Sequence, residues 1–214
     1  QSVAQTMLVI GPHGIGKARL TREATRKAGA DTKAFAGASD PSGLKLAWYP
    51  LLSVMEQILG LTGHPTMETL AKAAAQAGLP ERDLPGLAEV FGIDGPAMQL
   101  ELAVRRREAR SAAMRCLQSV GRRFSTSVII FADADRFDFP SLQLIKELRS
   151  KLPDNVRLIL TAEAAMVLDD GAIEELRRRR WNHVLHERHG VVFQHAGGLA
   201  RRVALDAAAG DVRR

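Results

Sequence analysis

The stretch Met7-Leu8-Val9-Ile10-Gly11-Pro12-His13-Gly14-Ile15-Gly16-Lys17-Ala18 decides how the chain is read. Four consecutive apolar residues run into a glycine, as a strand covered on both faces does when it enters a turn. Residues 17–28 then take a helical rhythm, with Leu20 and Ala24 on one side and Arg19, Arg22, Glu23 and Arg26 on the other. Gly11 to Lys17 satisfies G-x-x-x-x-G-K between that strand and that helix, the context a phosphate-binding P-loop requires. Glycines let backbone N–H groups converge on a phosphate, and the helix start adds positive potential. Lys17 would reach the β- and γ-phosphates. The candidate nucleotide contacts are therefore Gly11, Pro12, His13, Gly14, Ile15, Gly16, Lys17, Ala18 and Arg19. A purely structural turn is the competing reading. His13 reads as a neutral spacer within reach of a phosphate.

The eighth position of the motif breaks its pattern. A Ser or Thr there supplies a hydroxyl to Mg²⁺, and this chain has Ala18. Arg19 cannot replace it, because a guanidinium carries no acceptor. A second segment, Val128-Ile129-Ile130-Phe131-Ala132-Asp133-Ala134-Asp135, ends an apolar strand in acids, as a Walker B motif does. In P-loop NTPases such acids hold the metal shell or orient the attacking water. The plainer reading is that polar residues merely end a strand.

Outward from these two segments, strands are expected at 32–38 and at Arg157-Leu158-Ile159-Leu160. Helices are expected at 44–59, with Leu44, Trp48, Leu51, Leu52, Met55 and Leu59 on one stripe, and at 66–77, closed by Gly78. Residues 80–96, with three prolines and three glycines, read as a connector with one helical turn. A long helix is expected over 97–122, its apolar side carrying Leu100, Val104, Met114, Leu117 and Val120. Another is expected over 141–151, opened by Ser141 as N-cap. Residues 164–214 read as helical pieces broken at Gly171, Gly190, Gly197 and Gly198. Strands alternating with helices imply an α/β fold with a mainly parallel sheet.

Composition sets the outer limits. The chain has 214 residues, 46% hydrophobic and 25% charged, enough for a real core. Its single cysteine, Cys116, excludes a disulfide framework and fits a reducing, cytoplasmic setting. No apolar run approaches the roughly 18 residues that span a bilayer, so membrane insertion is not expected. Gln1 rather than Met at the start implies a piece of a longer chain. The net charge of +6 makes nucleic-acid contact conceivable, and Arg177-Arg178-Arg179-Arg180-Trp181 is the strongest such run. Glu174 and Glu175 beside it favour a solvated helix face. Arg105-Arg106-Arg107 reads the same way, with Glu101 and Glu108 in helical reach, although one of these arginines could serve a neighbouring subunit as a finger. His183, His186, His189 and His195 read as surface or capping residues, and no metal site is expected from them. Cys116 reads as a small core residue.

Gly11 to Leu20, the Trp48-Tyr49-Pro50-Leu51 helix, and Phe131 to Leu142 together resemble the AAA-type ATPase module of bacterial STAND regulators. These are multidomain signal-transduction ATPases, some of them transcriptional activators, some fused to kinases or cyclases. Their second motif runs hydrophobic strand, Asp-Asp, Leu-His-Trp-Ala-Asp, Pro-Pro-Ser-Leu. Ala132-Asp133, Ala134-Asp135-Arg136-Phe137-Asp138 and Phe139-Pro140-Ser141-Leu142 fit that frame. The resemblance makes Asp133 a residual Walker B acid and Thr161 a sensor-like residue. It also puts Ala132 where the first acid belongs, or, with the register shifted by one, makes Asp133 the metal acid and puts Ala134 in the second place, and it puts Glu163 where an arginine is common. It spans residues 7–165, and Leu185-His186-Glu187-Arg188 echoes the family's helical subdomain only loosely.

Motifs, element order and resemblance together imply a three-layer α/β P-loop NTPase with a helical C-terminal extension. The nucleotide-binding core would cover 1–165, and 166–214 would form part of a lid. The expected ligand is ATP or ADP, since no N-K-x-D guanine motif follows a strand, and Mg²⁺ is doubtful. The expected role is a regulatory module with weak or absent hydrolysis that controls self-association or docking to a protein partner. A scaffold that binds no nucleotide and a nucleic-acid-binding regulator are the alternatives.

Overall fold

The computed structural model describes residues 6–40, 42, 47–95 and 100–163, and the strand backbone of 192–195. Strand β1 (Thr6–Ile10) leads through the glycine-rich turn into helix α1 (Lys17–Lys27), and β2 (Thr32–Ala38) follows. Four helices come next: α2 (Tyr49–Leu59), α3 (Met67–Gln76), α4 (Leu84–Val90) and α5 (Leu102–Arg123). Then β3 (Thr126–Ala132), α6 (Phe139–Lys151), β4 (Val156–Ala162) and β5 (Val192–His195) complete the order. The sheet runs β2-β3-β4-β1-β5, with β1 to β4 mutually parallel and β5 antiparallel on the outer edge of β1.

Alternation along each strand sorts the side chains into two layers. Leu8, Phe35, Ile129, Phe131, Leu158 and Leu160 join one continuous core with residues of α2 to α6. Val9, Val128 and Ile159 face the other way and pack with Leu20 of α1. Helices thus cover both faces, which is the expected three-layer α/β arrangement. The buried side of α1 is Lys17 and Thr21, with Leu20 half-buried, whereas Ala24 is exposed. At the free edge of the sheet, the amide of Gln57 on α2 pairs with both backbone groups of Ala36, accepting from its N–H at 3.0 Å and donating to its C=O at 2.6 Å. One residue's open donor and acceptor on this edge strand are thereby occupied.

Several expectations are corrected. Helix α2 begins at Tyr49, after Trp48 in a left-handed turn (φ 67°), while Leu44 lies outside the described residues. Residues 80–96 are more than a connector. A 3₁₀ turn at Glu81–Asp83 leads into α4, which carries Pro85 at its second position and buries Gly86, Leu87, Ala88 and Val90. Proline and glycine, normally breakers, are here used as a helix start and as a close-packing position. Helix α5 begins at Leu102 rather than at 97, and Leu100 is exposed ahead of it. Its buried side is rich in small residues, Ala109, Ala112, Ala113 and Cys116, so α4 can approach closely. Helix α6 is capped by Asp138, whose Oδ1 accepts from the Ser141 N–H at 2.8 Å and whose Oδ2 accepts from the Ser141 hydroxyl at 2.6 Å. Val192–His195 form a strand in a region expected to be helical; the rest of 164–214, including Arg177–Arg180 and His183, His186 and His189, lies outside the described residues.

Three arginines of α5 pair outward with other elements, while Arg107 lies 3.7 Å from Glu108 of its own helix. Arg105 makes a bidentate bond to Glu89 of α4, Arg115 to the buried carboxylate of Asp83, and Arg110 to Glu147 of α6. Cys116 is fully buried as expected, and burial pushes its thiol up to about 12.

Both the α4–α5 contact and the Arg110–Glu147–Lys151 group can be tested by substitution. A Cβ on Gly86 would stand 2.4 Å from the Glu108 carbonyl oxygen on α5. Gly86→Ala should therefore lower stability by about 1–3 kcal/mol, although alanine is the better helix former, and urea titration would read this. Glu147 is held below the usual carboxylate range, first by its hydrogen bond from Lys151 and then by that from Arg110. Its contribution is fully present above the ordinary glutamate value and is lost as pH falls through the lowered one. The stability gap between wild type and Glu147→Gln should shrink as the pH is lowered from neutral into that acidic range.

Candidate functional site

Parallel strands place their C-terminal ends on one edge of the sheet, where open α/β sheets bind ligands. The ends of β1, β3 and β4 meet there in fixed register, Ile10 beside Ala162 and Phe131 beside Leu160. The Gly11 N–H donates to the Ala162 carbonyl at 3.1 Å, so the first residue of the loop is stitched to the end of β4.

The loop itself turns on left-handed residues. Gly14 has φ 77° and Gly16 φ 97°, and Gly16 is the N-cap of α1. A residue with a Cβ would be strained at both. No side chain caps the start of α1, and no acid lies in its first turn. Its leading N–H groups lack intrahelical partners by geometry and present positive potential at this edge. Pro12, His13, Gly14, Ile15 and Gly16 are exposed along the loop, as are Ala18 and Arg19 at the helix start, while Gly11 is buried.

Lys17 is buried, only 7% exposed, and its Nζ donates to the carbonyls of Gly11 at 2.8 Å and Pro12 at 3.1 Å. The ammonium therefore lies inside the curl of the loop rather than out in solvent. Backbone amides, a helix start and a sequestered cation form a donor set that fits a phosphate chain.

Asp133 sits at the end of β3 in the left-handed region (φ 54°, ψ 49°). Its N–H donates to the hydroxyl of Thr161 at 3.0 Å, and Thr161 is 2% exposed on β4. The two residues singled out from sequence are thus in contact, with Thr161 setting the backbone from which the Asp133 carboxylate departs. Asp135, two residues on, has a buried Oδ1 without a hydrogen-bond partner among the described residues. The donor set for a divalent cation is thinner. Ala18 offers a methyl, Ala132 offers another, and the described residues hold no group of three or more His, Cys, Asp or Glu placed around one point.

Sequence reasoning missed one cluster. Glu163, directly after β4, lies with Oε1 3.4 Å from His13 Nδ1 in the loop and 3.7 Å from Arg136 Nη2 in the 3₁₀ turn Ala134–Arg136. The signal was only that an acid stands where a base is common, which says nothing about its partners.

Four parallel strands with helices on both faces and this strand–loop–helix define the P-loop NTPase fold. The chain belongs to the AAA ATPase domain family, whose model matches residues 1–161. Proteins of that family bind ATP or ADP with Mg²⁺. No curated protein matches the chain. Among the described residues, no helix is long and apolar enough to cross a membrane.

Thr161→Val keeps the side chain's shape and removes the acceptor for the Asp133 N–H. A loss of about 1–3 kcal/mol in urea unfolding is expected, since a partly buried donor is left unpaired. An unchanged midpoint would show that water replaces the hydroxyl at no cost.

Proposed function

We propose that this chain is a regulatory, STAND-like AAA module that binds a purine nucleotide, ATP or ADP, hydrolyses it weakly or not at all, and uses nucleotide state to control association. The observation that carries the reading is an asymmetry within one site. The phosphate half is complete: two left-handed glycines, an uncapped helix start and a buried Lys17. The metal half has methyl groups at Ala18 and Ala132 and keeps Asp133 as its residual acid.

The asymmetry bears differently on binding and on chemistry. A metal ion supplies several kcal/mol of transition-state stabilisation in phosphoryl transfer, and each ~1.4 kcal/mol is a factor of ten in rate. Losing its protein ligands slows hydrolysis by orders of magnitude. Ground-state binding depends more on the loop amides and Lys17, which remain. In this reading Gly11 to Arg19 make the phosphate contacts, and Thr161 holds Asp133 in position. The nucleotide core takes residues 1–165 together with β5, which extends its sheet beside β1, and the remainder of 166–214 belongs to a cytoplasmic protein's lid. Ordered association with a protein partner or a second copy is the output.

The scaffold alternative has one specific support, the two loop carbonyls already bonded to Lys17 Nζ. An ammonium so occupied can hold the loop closed with no ligand.

Titration calorimetry with ADP and ATP, with and without Mg²⁺, tests the proposal. Saturable binding is expected, weakened at least about tenfold by Lys17→Ala, together with ATP turnover in Mg²⁺ no faster than that variant's. Turnover typical of an active ATPase, abolished by Lys17→Ala, overturns the weak-hydrolysis claim. Calorimetric silence moves the assignment to the scaffold.

A further inference from the structure

The cluster of His13, Arg136 and Glu163 lies at the mouth of the phosphate loop, and the proposed function gives it no role as a group. Its three members come from three elements. His13 is at the exposed bend of the loop, Glu163 follows β4, and Arg136 belongs to the turn after β3. Glu163 is placed by the backbone, because its neighbour Ala162 accepts from the Gly11 N–H and ends the β1–β4 ladder. Arg136 is placed the same way, since its N–H donates to the Asp133 carbonyl at 2.9 Å and Asp133 is held by Thr161. The carboxylate therefore stands between a loop residue and a guanidinium at the edge where ligands enter.

Its contacts are those of an anion held loosely. The 3.4 Å and 3.7 Å separations are longer than direct charge-assisted hydrogen bonds, and the side chains are partly open, 78% exposed for His13, 55% for Arg136 and 36% for Glu163. A pair of this kind adds little to stability. It does decide which charge occupies the mouth of the site. The loop amides and Lys17 can serve phosphates next to the start of α1. A third phosphate, although within reach of Lys17, would add its charge beside the ends of β3 and β4, where Glu163 already supplies the negative charge opposite Arg136.

We infer that Glu163 is a built-in surrogate for a terminal phosphate, so that this site selects nucleoside diphosphates over triphosphates. The inference rests on the nucleotide-site reading. A diphosphate leaves the Glu163–Arg136 contact in place. A triphosphate must displace the carboxylate or bear its repulsion, and gains Arg136 only by breaking that contact. Glu163 is thus a specificity residue that acts by charge, not by touching the diphosphate.

The test is calorimetric titration of ADP and ATP, in buffer with EDTA to exclude metal, into wild type, Glu163→Gln and Arg136→Gln. Wild type should bind ADP about five- to tenfold more tightly than ATP, the scale of one unit charge at partly solvated contact distance. Glu163→Gln should bring the two nucleotides within about twofold by tightening ATP alone. Arg136→Gln should move the ratio the other way, because it leaves the carboxylate unneutralised, and this second variant keeps the inference falsifiable if the first fails to fold. Equal affinities in wild type, or a ratio indifferent to both substitutions, overturn the inference and leave the nucleotide site standing. No binding of either nucleotide to wild type overturns the nucleotide-site reading, and the inference with it.

Discussion

A primary ammonium withdrawn from water has to be compensated, and in this chain that requirement falls on Lys17. Only 7% of the residue is exposed, and its two acceptors are uncharged carbonyls of its own loop, Gly11 and Pro12. Carbonyl dipoles satisfy the hydrogen bonds but leave a net positive charge in place. Around it the backbone adds more of the same sign. The start of α1 has neither an acidic first turn nor a capping side chain, and left-handed Gly16 aims its first amides outward. Such a concentration of positive potential favours an anion with several acceptor oxygens. The fold therefore stores electrostatic demand at one point of the sheet edge.

Sheet order decides what surrounds that point. Because β1 lies between β4 and β5, with β3 beyond β4, the loop after β1 is bordered by the ends of β4 and β3. Thr161 and Glu163 come from β4 and its end, and Asp133 and Arg136 from the turn after β3. Elements far apart in sequence are brought together by ladder register, and the single Thr161–Asp133 hydrogen bond couples the two strand ends side chain to backbone. The remote helices α3 to α5 have no residue in this group. Their work is mechanical: α5 is tied to α4 through Arg105, to the 3₁₀ turn ahead of α4 through Arg115 and to α6 through Arg110.

The parts of this arrangement that were legible in sequence are those governed by local rules. Met7 to Ile10, Val128 to Phe131 and Leu158 to Leu160 are continuous apolar runs, and each lies in a covered parallel strand. Thr66 with Gly78 marked α3 at both ends, and the structure places a capping box on Thr66 and Thr69 and a left-handed Gly78 after the helix. What was illegible depends on partners. Helix α4 hides behind Pro85 and Gly86, because the glycine is needed only when Glu108 is known to lie against it. The Asp138 cap was available in principle, since Asp followed by Pro140 within the first turn is a helix-start signal. Ser141, itself a good capping residue, competes with it for the same role. Strand β5 is four residues whose reason for being extended is the free edge of β1, which nothing near it in the chain announces.

The same distinction governs the site. Spacing, read with the strand before it and the helix after it, predicted the loop, because its conformation is dictated by glycines and its neighbour helix. It could not predict that the loop's mouth would be balanced by charge. Glu163 read in isolation is the absence of a base; with His13 and Arg136 in place, it is an anion with a location. Asp133 and Glu163 put two carboxylates near an edge whose cations are Lys17 and Arg136, with His13 adding charge only when protonated. An incoming polyphosphate thus meets attraction at the helix start and opposition at the strand ends. A site with uniform positive charge would favour whichever nucleotide carries more of the opposite sign. Under the proposed nucleotide reading this polarity would run along a bound phosphate chain, so that Glu163 would grade the ligand by the number of its phosphates.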